Sequence, residues 1–207
     1  PLRLVGSEMC IRDRLNISDK QYVQRTTKWF VFAMIILIIS FILSTIFSPS
    51  LDTFKSIGDQ TPSSLDKATG LNKVWEFIIN NGFRVPIQML ILSLIPIPFL
   101  YCVNLIFTST ITGIMFGFVI NFDFHKGSIV ILSSIPHIVV EIFAMCFVVS
   151  SLFKLNQAIV RKISNLFRKE KKQKVSFKQA LIQLIKTYIL IALPLYLSLI
   201  HISEPTR

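Results

Sequence analysis

Residues 85–120 run for 36 positions without a single Asp, Glu, Lys or Arg. An α-helix rises about 1.5 Å per residue and a bilayer's hydrocarbon core is about 30 Å thick. The run is therefore too long for one crossing without severe tilt. Pro96 and Pro98 interrupt it. The expectation is a hairpin that crosses twice, or a segment that dips in and returns. Residues 29–47 (WFVFAMIILIISFILSTIF) form another charge-free run, just long enough to span. Residues 128–153 form a third, in which His137 and Glu141 are the ionisable groups. A last apolar stretch reaches residue 197. The predicted fold is all-α: a single polytopic helical membrane domain over 15–197 with about five spans, at 29–47, 85–102, 103–120, 128–153 and 181–197.

Composition agrees. Hydrophobic residues make up 52% of the 207 residues and charged residues 16%, against about 25% charged in soluble domains. The formal net charge of +11 raises the question of nucleic acid. The charge sits mostly in one block between apolar runs, with no aromatic-interleaved basic face of the kind that grips single strands, so no nucleic-acid partner is expected. Both ends, VGSEMCIRDR (5–14) and LSLIHISEPTR (197–207), resemble translated sequencing-adaptor read-through. Residues 1–14 and 198–207 are accordingly expected to be artefactual tails, with a native C-terminus beyond. Cys102 and Cys146 then remain, both in apolar runs without metal-ligand spacing, and a disulfide framework is not expected.

Charge also sets the expected sidedness. Residues 154–178 carry nine Lys or Arg and one acid, Glu170. Basic loops stay in the cytoplasm, so the N-terminus lies inside, segment 48–83 lies outside, and 154–178 is a cytoplasmic loop. Within that loop Leu155, Ile159, Ile163 and Leu166 recur at helical spacing. Lys154, Arg161, Lys162, Arg168 and Lys169 surround them. The pattern predicts an amphipathic helix on the inner leaflet, where each basic charge is worth about 1 kcal/mol against anionic lipid. A docking site for a cytoplasmic partner is the other reading. Ser176 and Gln179 form a capping box opening the last helix. In the outer segment, Asn72 caps a short predicted helix through Asn81, with Val74, Trp75, Phe77 and Ile78 on one interfacial face.

The stretch SIPHIVVEIFA (134–144) holds the most telling chemistry. His137 and Glu141 are four residues apart, on one helix face, with Ser134 and Ala144 extending the stripe. Pro136 removes a backbone donor and frees the carbonyl of Leu132, which predicts a kink. An ionised Glu in mid-membrane costs about 3 kcal/mol or more, so it must be paired or neutral. Two readings stand side by side: a buried hydrogen-bonded knot holding helices together, and a proton relay or ion site. Asn104, Thr108 and Thr112 make a polar stripe at i, i+4, i+8 that offers partners from a neighbouring helix. Ser109, Gly113 and Gly117 make a small-xxx-small stripe beside it, a device for close helix packing. No metal is expected: His125 lies near Asp123, but there is no HExxH and no Cys pairing. No phosphate loop and no nucleophile elbow is present, and neither an enzymatic role nor a cofactor is expected.

Gly113-Ile-Met-Phe-Gly117-Phe-Val-Ile-Asn121, Gly127, the 134–144 stretch and the Asn80-Asn81 pair together resemble the stage II sporulation protein M family of bacterial membrane proteins. The resemblance covers residues 20–197. Its sharpest piece is Pro136-His137 with Glu141 and Ala144. Ile138 stands where the family often has Gly, and Phe143 where it often has Pro. The resemblance implies a non-enzymatic, multi-pass protein of the bacterial cytoplasmic membrane. It further implies a scaffold or partner for cell-envelope proteins, among them cell-wall hydrolases acting in peptidoglycan remodelling. The competing expectation is a permease subunit that uses His137 and Glu141 as an intramembrane polar or proton-handling site.

Overall fold

The computed structural model describes residues 21–47, 78–167 and 176–203, and all the regular structure among them is helical. Helix α1 spans Tyr22–Phe47. A π-helical turn, Ile78–Arg84, runs straight into α2, Val85–Leu94. A bend at 95–99 and a 3₁₀ turn, Leu100–Cys102, lead into α3, Val103–Phe122. Asp123 separates α3 from α4, Phe124–Phe167. The last stretch is helical throughout: α5, Phe177–Thr187, a second π turn, Tyr188–Ala192, and α6, Leu193–Ser203. Residues 1–14, most of the outer segment with Asn72, Val74, Trp75 and Phe77, and Arg168 and Lys169 lie outside the described residues.

Four described helical stretches are long and apolar enough to cross a membrane: Tyr22–Phe47, Leu100–Phe122, Phe124–Phe167 and Phe177–Ser198. The protein is an all-α polytopic membrane protein. Five spans were expected, and the one at 85–102 is not among these four. The chain turns at 95–99 rather than at 102–103, and the arm entering the turn is the shorter helical segment 78–94. The cause is proline. Pro96 and Pro98 supply no N–H, and a residue before proline is driven out of the α region. Ile95, which precedes Pro96, is extended at φ −70°, ψ 131°.

Helices α1 and α3 run side by side in the same direction, and the small residues of α3 make the seam. A Cβ added at Gly113 would lie 2.4 Å from the Leu37 carbonyl oxygen, and one at Gly117 would lie 2.6 Å from Ser44 Cβ. Polar groups lock the far end of this seam. Ser44 Oγ donates to the Ile114 carbonyl at 2.9 Å, and Asn121 Nδ2 donates to the carbonyls of Ser44 and Thr45 at 3.2 Å each. Gly127 serves the tight α3–α4 corner, where a Cβ would meet the Val119 carbonyl oxygen at 2.6 Å.

Helix α4 is the central post. Its 44 residues span about 66 Å at 1.5 Å per residue, well beyond the hydrocarbon core. Ile142 and the run Ala144 to Leu152 lie in the core, together with Leu155 and Ala158. The opposite half, from Phe124 to Ile135, leaves large apolar side chains open, Leu132 at 72% exposure among them. Residues 154–167 are the uninterrupted continuation of α4, not a separate helix lying along the inner leaflet. Leu155 joins the same core cluster as Ala180 and Leu184 of α5, whereas Ile163 and Leu166 are exposed. At the start of α5, Ser176 Oγ accepts the Gln179 N–H at 3.4 Å, half of the capping box.

Candidate intramembrane polar site

Glu141 sits midway along α4, 83% covered, and its two carboxylate oxygens face different elements. On its own helix, His137 Nε2 lies 3.7 Å from Glu141 Oε2. Across the interface, Asn81 Nδ2 donates to Glu141 Oε1 at 3.1 Å. The Asn81 amide oxygen accepts in turn from Asn80 Nδ2 at 2.9 Å. Each amide thus polarises the next toward the carboxylate. The partner comes from the first π turn and not from α3.

Two π turns flank this carboxylate, and a proline explains each. Pro86 lacks the N–H that a regular helix would direct at the Gly82 carbonyl. The Tyr188 hydroxyl, in the second π turn, donates to that carbonyl instead, and its ring packs edge-on against Phe83 at 6.4 Å. Pro194 likewise offers no N–H to Leu190. The helix widens just ahead of it, with the Leu193 N–H donating to the Tyr188 carbonyl, a five-residue step. Two residues further, Tyr196 is 1% exposed, within electrostatic reach of Glu141, and its hydroxyl has no hydrogen-bond partner. The site therefore draws on three elements: α4, the turn before α2, and the C-terminal helical stretch.

The α3 residues do not join it. Thr112 Oγ1 donates to the Thr108 carbonyl of its own helix at 2.8 Å, and Asn104 Nδ2 is buried without a hydrogen-bond partner. Ser134 Oγ donates back to the Val130 carbonyl at 2.8 Å. Pro136 lies on the exposed side of α4, and the helix continues through it. Ser109, Gly113 and Gly117 belong to the α1 seam. Among the described residues no three His, Cys, Asp or Glu side chains converge where a metal could sit.

A second polar cluster lies at the basic end of the bundle. Asn156 of α4 is 4% exposed. Its Nδ2 lies 2.9 Å from the Ser93 carbonyl, 3.0 Å from that of Ile95 and 3.4 Å from that of Ile97. These are the carbonyls left without donors where α2 ends. Nearby, the Tyr22 hydroxyl donates to the Phe147 carbonyl at 2.8 Å. Arg25 donates through Nη2 to the Ser150 carbonyl at 2.9 Å and through Nε to Ser150 Oγ at 3.2 Å. Its guanidinium lies over the Phe153 ring at 4.6 Å. Lys154 and Arg161 are half-buried on this end of α4, and Lys162 is exposed. Sequence reasoning missed Asn156, Tyr188 and Tyr196. The signal for Asn156 was present: a donor-rich amide one helix away from a Pro-x-Pro turn whose carbonyls need donors.

Comparison with known proteins gives one match. The family model described as stage II sporulation protein M matches residues 27–201. That interval takes in every element described above except the first turn of α1 and the end of α6. No curated protein and no solved structure matches the chain.

Proposed function

The chain belongs to the stage II sporulation protein M family, and from that premise we propose that it is a non-enzymatic scaffold of the bacterial cytoplasmic membrane. On this reading it holds cell-envelope proteins, peptidoglycan hydrolases foremost, through the outer segment 48–83. The observation that carries the reading is where the intramembrane polar groups are spent. Glu141 is answered by Asn81, Gly82 by Tyr188, and the α2 end by Asn156. Each of these bonds ties one helical segment to another, the use expected of a frame that presents an external segment in a fixed place. Cysteines placed singly in 48–77 and cross-linked in whole cells test it. Capture of wall-remodelling enzymes is the expected result, and uniform failure of every position to capture an envelope protein refutes it.

The competing reading is a permease subunit, favoured by one feature: a buried Tyr196 hydroxyl without a hydrogen-bond partner, on which the Glu141 charge acts. Proton or solute flux in liposomes that vanishes in Glu141→Gln would establish it. Flux equal to that of protein-free liposomes supports the scaffold.

A further inference from the structure

At the basic end of the bundle, a cleft of about 320 Å³ opens between the 95–102 turn and α4. Small-molecule pockets begin at about 300 Å³, and one water occupies about 30 Å³. Its walls are Phe99, Tyr101, Phe153 and Val160, and Gln157 and Arg161 stand at its polar edge. We propose that this cleft binds one anionic phospholipid, its phosphate on Arg161 and Gln157 and an acyl chain along Phe99, Phe153 and Val160.

Three observations support that occupant. The first is depth. Phe153 is the last residue of α4 before its basic stretch. Trp29, whose ring lies 6.1 Å from that of Phe99, marks the corresponding level on α1. Trp is enriched where a bilayer meets water, so the cleft lies where head groups join acyl chains. The second is charge. Lys154, Arg161 and Lys162 stand on this end of α4, and the sequence 154–178 carries nine Lys or Arg against a single acid, a balance that favours an anionic lipid over a zwitterionic one. The third is backbone strain. Phe99 has φ 65°, ψ 4°, a left-handed conformation that residues with a side chain rarely adopt. It is the sole such residue other than glycine among those described. That conformation turns the Phe99 ring into the cleft, 6.2 Å from Phe153 and 6.5 Å from Tyr101. A strained aromatic kept at a cleft wall is the pattern of a binding site.

The test uses the full chain carrying Trp75→Phe, so that Trp29 is the remaining tryptophan. It is reconstituted in phosphatidylcholine vesicles containing a minor fraction of acyl-brominated phosphatidylglycerol or, in parallel, acyl-brominated phosphatidylcholine. Preferential quenching of Trp29 by the brominated phosphatidylglycerol is expected. Arg161→Gln should lower that preference about five-fold, the equivalent of ~1 kcal/mol for one basic residue. Lys162→Gln, the same charge change on an exposed neighbour, should leave most of it. Arg161→Lys keeps the charge and should retain most of it, which separates loss of the site from loss of the fold. Equal quenching by the two brominated lipids in the unsubstituted protein overturns the proposal. So does an equal fall in Arg161→Gln and Lys162→Gln, which would reduce the effect to diffuse attraction to the leaflet.

Discussion

Replacing Asn156 tests how the α2 end is held. The Asn156 side chain is buried, so water does not reach a carbonyl whose donor has been removed and the loss is not made good by solvent. Asn156 Nδ2 carries two hydrogens and faces three carbonyls, with the two shortest contacts to Ser93 at 2.9 Å and Ile95 at 3.0 Å. Asn156→Leu keeps most of the volume and removes both donors. Intramembrane hydrogen bonds average about 0.6 kcal/mol and reach about 1.7, and a buried acceptor left empty costs about 1–3 kcal/mol. The site is 4% exposed, so the upper half of that range applies, and about 2 kcal/mol is expected. For a chain of this length 1 kcal/mol moves Tm by about 2–4 °C, so the midpoint in mild detergent should fall by about 4–8 °C. Asn156→Asp should cost more than Asn156→Leu, because it sets a second oxygen against the Ser93 and Ile95 carbonyls. Thermal unfolding followed by circular dichroism reads all three proteins. An Asn156→Leu midpoint equal to that of the unsubstituted chain, or Asn156→Asp more stable than Asn156→Leu, would refute the capping role.

Other outcomes follow from the same geometry. Gly113→Ala should destabilise by about 1–3 kcal/mol, the usual cost of overpacking. Its Cβ would crowd the Leu37 backbone, so the midpoint in the same assay should fall, and cysteines placed at positions 44 and 114, where Ser44 reaches the Ile114 carbonyl, should cross-link less. Glu141→Gln should cost little, since a Gln oxygen still accepts from Asn81. Glu141→Leu should cost about 0.6–1.7 kcal/mol, and Asn81→Leu should combine with it less than additively. Full additivity would show that the two residues share no bond. Reporter fusions after Phe47, Ile120 and Lys172 should read outside, outside and inside. An outside signal at Lys172 would reverse the assignment of the basic end to the cytoplasm.

The parts of the fold legible in the sequence were those that lipid itself enforces. Charge-free length located the helices, Pro96 and Pro98 marked a break in the longest run, and a four-residue repeat of small side chains on α3 pointed to a packing seam. The site was only half legible. Glu141 had to have a partner, yet the partner is Asn81, 60 positions away in sequence and within a π turn that no periodicity announces. The Thr108 and Thr112 stripe offered a more regular pattern, but short hydroxyls reach their own i−4 carbonyls, as Thr112 does. A periodic Thr stripe therefore says less about a neighbouring helix than an Asn does. Asn156 was hidden for a different reason. It falls inside the basic stretch, where the apolar spacing of Leu155 and Ile159 reads as a surface helix. The α2 end, which covers Asn156, and the return of α5 along α4, which covers Leu155, turn that surface into core.

The prolines connect these observations. A proline in a membrane helix removes a donor in a solvent that cannot replace it. The helix then either ends, widens or finds a donor elsewhere. All three responses occur here. The helix ends at Pro96 and Pro98, and Asn156 supplies the donor. It widens ahead of Pro194. At Pro86 the Gly82 carbonyl is met by Tyr188 from another segment. Two of these repairs join α2 to elements far along the chain, and Glu141 adds a third joint through Asn81. The bonds between α4 and the α2 arm come from positions 141 and 156, and those to α1 from 147 and 150 between them, while the half from Phe124 to Ile135 remains open. A helix pinned along one half and open along the other concentrates its sensitivity to substitution. Changes that remove a donor between 141 and 156 should loosen the whole bundle. Apolar exchanges at Ile129 or Leu132, which are exposed, should leave its stability unchanged.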